Sequence, residues 1–126
     1  MKASVLEIGV PIGKAPVVKE IRSDFDHLVI LFDPDYDGVE LEITFDNPVG
    51  FRCLDEGDLL EYWDQQLFVD HWIFEITAGG WKDQESLRKG FISQHRGCRE
   101  FFICGIDDCV NVLANNPPMI KQAKAA

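Results

Sequence analysis

Residues 39 to 46 alternate without a break, Val39, Leu41, Ile43 and Phe45 against Glu40, Glu42, Thr44 and Asp46. A period of two sends neighbouring side chains to opposite faces of a strand, so this segment is a half-buried strand with an acidic outer face. Upstream, His27 to Phe32 is a nearly continuous apolar run, the pattern of a strand covered on both faces. Between them lies Asp33-Pro34-Asp35-Tyr36-Asp37-Gly38, built from turn-forming residues, which makes an antiparallel hairpin the simplest connection. A chain with this segment at its centre has to build its core around a sheet.

The flanking sequence extends the sheet. Val49 to Cys53 reads as a short strand after the Asn47-Pro48 break, and Trp72, Phe74 and Ile76 alternate with His71, Ile73 and Glu75 up to Gly79-Gly80. Phe101 to Ile106 is a buried strand, Asp107-Asp108 a tight turn, and Cys109 to Leu113 another strand, ended by Asn115-Asn116-Pro117-Pro118. Two helices fit between these strands. Asp55 caps one, with Leu59, Leu60, Trp63 and Leu67 inward and Asp58, Glu61 and Gln65 outward; Asp83 caps the other, which carries Leu87 and Phe91 inward. Residues 1–16, with Pro11, Gly13 and Pro16, read as an irregular lead-in around a short strand, and 117–126 as a frayed tail. The expected fold class is α+β: an antiparallel sheet of about six strands with two helices, in one domain spanning 1–126.

Composition narrows the function. Hydrophobic residues make up 46% of the chain and aromatics 11%, enough for a packed core and too much for a disordered acidic segment. No apolar run is long enough to span a membrane, and Met1-Lys2 is not followed by the apolar stretch of a signal peptide, so a cytoplasmic location is expected. In that compartment Cys53, Cys98, Cys104 and Cys109 are expected to be thiols, and their spacing lacks the paired C-x2-C of structural zinc sites.

Chemistry-bearing motifs are scarce. Asp33, Asp35, Asp37 and Gly38 match the start of a calcium loop, where alternating carboxylates suit a hard cation. The twelfth position, however, is Thr44 rather than a bidentate Glu, and strands rather than helices flank the loop. A calcium-dependent, or more generally acidic, protein-binding module is therefore the alternative reading. His71 with Glu75, and His95 beside Arg96, lack a nucleophile at a recognisable spacing. Gly79-Gly80 lacks the continuation of a phosphate loop. No enzyme activity and no cofactor are expected. Arg88, Lys89, Arg96 and Arg99 are diluted by acids, so no direct nucleic-acid binding is expected either.

The charge distribution is more informative. From Asp24 to Asp64 the chain carries thirteen carboxylates against a single cation, Arg52, whereas the whole chain is at −10. Such a field repels nucleic acid and anionic membrane and attracts a basic protein at long range. The expected partner-binding residues are Asp33, Asp35, Asp37, Glu40, Glu42, Asp58, Glu61 and Asp64 for charge, with Tyr36 and Tyr62 as aromatic anchors among them.

Residues 49–60 (Val-Gly-Phe-Arg-Cys-Leu-Asp-Glu-Gly-Asp-Leu-Leu), with Gly79-Gly80-Trp81 and the stretch from Phe102 to Val110, carry a further signal. Together they resemble small cytoplasmic immunity proteins encoded beside bacterial polymorphic toxins, including contact-dependent growth inhibition systems. The resemblance runs from about residue 25 to 115 and implies a non-enzymatic inhibitor that binds and occludes a cognate, basic, nuclease-type toxin domain. It supplies no site residues of its own.

Overall fold

The computed structural model describes residues 1–7, 16–33 and 39–124. Among them are nine strands in two antiparallel sheets. They are β1 (Lys2–Val5), β2 (Val18–Ser23), β3 (His27–Phe32), β4 (Val39–Asp46), β5 (Gly50–Asp55), β6 (Ile73–Ala78), β7 (Arg99–Cys104), β8 (Asp108–Ala114) and β9 (Met119–Lys124). One sheet has the order β1-β6-β7-β8-β5 and the other β2-β3-β4-β9. Three short helices, α1 (Leu60–Trp63), α2 (Gln66–Asp70) and α3 (Trp81–Glu85), lie in the connections around β6.

The expected hairpin forms: β3 pairs antiparallel with β4, with Ile30 opposite Ile43. The strand count and the layering differ from expectation. The tail expected to fray instead supplies β9, which sets Ile120 opposite Ile43 and Lys121 opposite Glu42 along β4. The lead-in supplies β1, the short strand expected within it, whereas Val18–Ser23 adds an unexpected β2 at the other edge of the smaller sheet. Both β2 and β9 are rich in Lys, Arg and Gln, so their own sequences carry little apolar alternation; pairing with a strong neighbour orders them.

Alternation then explains the layers. Leu28, Ile30 and Phe32 of β3 and Leu41, Ile43 and Phe45 of β4 face Phe101 and Ile103 of β7 and Val110, Val112 and Ala114 of β8, all fully or nearly fully buried. Ring contacts close the interface, Phe45 to Phe101 at 5.5 Å and Phe32 to Trp72 at 5.7 Å between centroids. The intervening residues of the larger sheet face the other way. There Phe74, Ile76, Phe102, Cys104 and Cys109 pack beneath Leu59, Tyr62 and Phe68 of the helical segment. The larger sheet is thus covered on both faces, by the smaller sheet and by a helical layer, which is why β7 and β8 read as continuous apolar runs.

Candidate functional site

The helical layer starts where β5 ends. Asp55 caps as expected, its carboxylate accepting the Gly57 N–H at 2.7 Å, but it opens a single 3-10 turn, Glu56–Asp58, and not a continuous helix. The chain re-enters helix at α1, breaks, and resumes as α2. The Trp63 indole N–H donates to the Glu56 carbonyl at 2.8 Å and fastens α1 to the 3-10 turn.

These breaks change which residues turn inward. Leu59 and Tyr62 are each 1% exposed, while Leu60 is 69% exposed. Tyr62 is therefore no surface anchor. Its ring lies 4.5 Å from Phe102 and 5.4 Å from Phe68, centroid to centroid, and burial pushes its phenol above the ordinary range.

The Tyr62 hydroxyl can be buried because a polar seam beneath it receives it. Asn111 of β8 donates one amide hydrogen to Tyr62 Oη at 3.2 Å and the other to Glu100 Oε2 at 2.9 Å. The Asn111 carbonyl oxygen accepts from Arg52 Nε at 3.0 Å, and Arg52 also reaches Tyr62 Oη at 3.4 Å. The Glu100 carboxylate, 1% exposed, further accepts the backbone N–H groups of Trp81 at 3.1 Å and Lys82 at 2.7 Å. Desolvation raises its pKa, opposed by those backbone donors, Asn111 and Arg52. Arg52 stacks over the Trp81 ring at 5.3 Å. Among the described residues no buried side-chain polar atom lacks a partner. This seam is a satisfied framework joining α1, α3 and the sheet.

Bordered by the 3-10 turn, α1, α2 and the end of β7 is an open groove of about 450 Å³. Trp63 and Phe68 provide its aromatic wall, Leu60 and Val69 its exposed apolar edge, and Cys104 with Gly105 its sheet-side floor. Leu60 and Val69 remain 69% and 60% exposed, an unusual concentration of apolar surface at one place. The two segments that build the groove, 55–70 and 104–108, contain eight carboxylates and neither Lys nor Arg. All eight (Asp55, Glu56, Asp58, Glu61, Asp64, Asp70, Asp107 and Asp108) are exposed.

The sequence-derived acidic patch therefore divides. Asp58, Glu61 and Asp64 are exposed on the helical segment that builds this groove, although Glu56 is the carboxylate that lines it. Glu40 and Glu42 lie on the outer face of the smaller sheet, on the far side of the molecule, in a shallow hollow shared with Arg22, Leu31 and Lys121. Asp33 is half-buried, its backbone N–H bonded to the Val17 carbonyl at 2.9 Å. Asp35, Tyr36 and Asp37, and with them the calcium half-motif, fall outside the described residues.

Other pairings suggested by sequence resolve differently. Glu75 does not join His71; Arg99 holds it in a two-pronged ion pair, at 2.8 and 2.6 Å, and that contact draws the Glu75 carboxyl below its ordinary range. Cys98 packs with Phe91 and Leu113, apart from Cys104 and Cys109. Among the described residues no three His, Cys, Asp or Glu side chains gather in a metal-holding group, and no helix is long and apolar enough to cross a membrane. The groove itself escapes sequence reasoning because a continuous helical stripe places Leu60 inward; the absence of any Lys or Arg from 53 to 70 is its available signal. Compared with known proteins, the chain matches no family model, no curated protein and no solved structure.

Proposed function

We propose that this chain is an acidic binding protein of the immunity type, which neutralises a basic toxin domain by covering it with the helical layer. The supporting observation is the coincidence of an open apolar groove, with Glu56 in its lining, and eight exposed carboxylates without any Lys or Arg in the two segments that form it. Each half of that arrangement has a job. The carboxylates draw a basic surface in and speed encounter, whereas the groove accepts an apolar anchor and holds the complex once water is expelled. Neutralisation is steric: a toxin whose substrate groove is basic presents to the inhibitor the same surface that it presents to a nucleic acid. Glu40 and Glu42 lie on the opposite face, beside Arg22 and Lys121, and have no part in this interface.

The test is capture. The tagged chain, co-expressed with the product of the neighbouring gene, is expected to retain a stoichiometric basic protein at low salt and release it at high salt. The chain emerging alone under both conditions would overturn the reading. A basic partner that proves harmless when expressed alone would leave the binding surface intact and remove the immunity role.

A further inference from the structure

Cys104 and Cys109 lie directly opposite each other across the β7–β8 hairpin. Both side chains point to the outer face of the larger sheet and belong to the same buried cluster. Both are free thiols; Cys104 donates to the Phe68 carbonyl and Cys109 to the Gly105 carbonyl, each at 3.8 Å. Their surroundings differ. Cys104 is 7% exposed and opens into the groove, whereas Cys109 is fully buried behind it. Cys53 is exposed but sits opposite Val110, on the other face of the sheet, and Cys98 belongs to a separate cluster.

We infer that this pair is an oxidation site, at which a hydroperoxide small enough to enter the groove converts Cys104 and Cys109 into a reversible cross-strand disulfide. In the first step the Cys104 thiolate attacks the terminal peroxide oxygen; the O–O bond breaks, hydroxide leaves from hydrogen peroxide or alkoxide from an organic hydroperoxide, and Cys104 becomes a sulfenic acid. In the second, the Cys109 sulfur attacks the Cys104 sulfur; the S–S bond forms, the S–O bond breaks, and the hydroxyl departs as water with the Cys109 proton. Two electrons pass from the thiols to the peroxide.

The two sulfurs divide the work according to their settings. Cys104 is the cysteine of the pair that lines the groove, and its neighbour Cys109 holds its thiol below the ordinary range. The neighbouring Cys104, with burial, pushes Cys109 up, which suits a resolving thiol that meets only its neighbour. Directly opposed residues in an antiparallel pair have Cβ atoms about 4.5–5.5 Å apart, wider than the roughly 3.5–4.5 Å of a relaxed disulfide. The bridge therefore forms under strain, as labile, regulatory disulfides do. The hairpin has little slack to relieve it: a Cβ on Gly105 would collide with the Asp108 carbonyl and come within 3.0 Å of Val18. The adjustment falls on the Cys104 side chain, whose sulfur leaves its 3.8 Å contact with the Phe68 carbonyl in α2. Oxidation thus alters the floor of the groove.

The experiment treats the full chain with hydrogen peroxide, then denatures, alkylates and digests it with trypsin, which cuts after Arg99 and Lys121 and leaves both cysteines on one peptide. The expected result is a peptide lighter by two hydrogens with both alkylation sites lost, and both regained after treatment with a dithiol reductant. In C109S, or in C109A should the serine fail to fold, Cys104 is expected to stop at a sulfenic acid trapped by dimedone. A peptide alkylated at both positions while Cys53 oxidises would overturn the inference. So would passage of Cys104 to sulfinic acid in the parent chain without a disulfide.

Discussion

Glu75 and Glu100 sit on adjacent strands, face opposite sides of the same sheet, and titrate in opposite directions. Arg99 lowers the first; desolvation raises the second. A lowered carboxyl contributes stability above its ordinary value of 4.5 and loses it as pH falls through the folded pKa. A raised one contributes fully below 4.5 and loses that contribution as pH climbs through its folded pKa. Glu75→Gln is therefore expected to cost more stability near pH ~7 than near pH ~4, and Glu100→Gln more near pH ~4 than near pH ~7, each read by urea unfolding against the parent chain. Costs that do not change with pH would remove both assignments. Gly80 shows how closely the second carboxylate is held. A Cβ there would lie 2.8 and 2.9 Å from the Glu100 oxygens and 2.7 Å from Ile76 Cγ2, although its φ of −98° suits any residue. Gly80→Ala is expected to destabilise by about 1–3 kcal/mol through overpacking alone.

At the scale of elements, α1 and α2 have four and five residues, far too few to persist alone. They exist because Tyr62 and Phe68 are sunk into the sheet. Phe68→Ala is expected to cost about 3–5 kcal/mol, whereas Leu60→Asp, at a 69% exposed position, should stay within about 0.5 kcal/mol. The same Leu60→Asp is expected to weaken partner capture by at least about tenfold if the groove holds an apolar anchor. Normal capture by a folded Leu60→Asp chain would take the groove out of the interface. This region also marks where the sequence stops being legible. The β3–β4 hairpin, the Asp55 cap and the β8 strand are readable because their signals are local: period, turn residues and a capping side chain. The helical stripe is misphased, since nothing near Leu60 announces the break between α1 and α2. Tyr62 goes inward because Arg52 and Asn111, 10 and 49 residues away, receive its hydroxyl. Division into two sheets, and recruitment of β9 to β4, likewise rest on pairings between distant segments, which a single sequence does not display.

For the whole molecule, the relevant fact is where the charge of −10 is placed. Acids close together in sequence, Glu40 and Glu42 and then Asp58, Glu61 and Asp64, lie on two faces with the sandwich between them. On the outer face of the smaller sheet, Glu20, Glu40 and Glu42 share space with Arg22 and Lys121; Arg22 pairs with Glu20 at 2.7 Å, and Lys121 stands opposite Glu42 in the ladder. That face is locally close to balance. Around the groove no such compensation exists in the segments that build it. Electrostatic attraction is screened over about 8 Å at physiological ionic strength, so a docking partner responds to the face in front of it rather than to net charge. Neutralising the groove-building helical segment with Asp58→Asn, Glu61→Gln and Asp64→Asn together is accordingly expected to slow association with a basic partner by about tenfold at low salt and to flatten its salt dependence. Glu40→Gln with Glu42→Gln removes two charges from the far face and should change the rate less than about threefold. Association rates measured against ionic strength for the two variants separate the cases. Equal slowing by both would mean that the partner senses the molecule's total charge, and the groove would lose its claim to be the docking face.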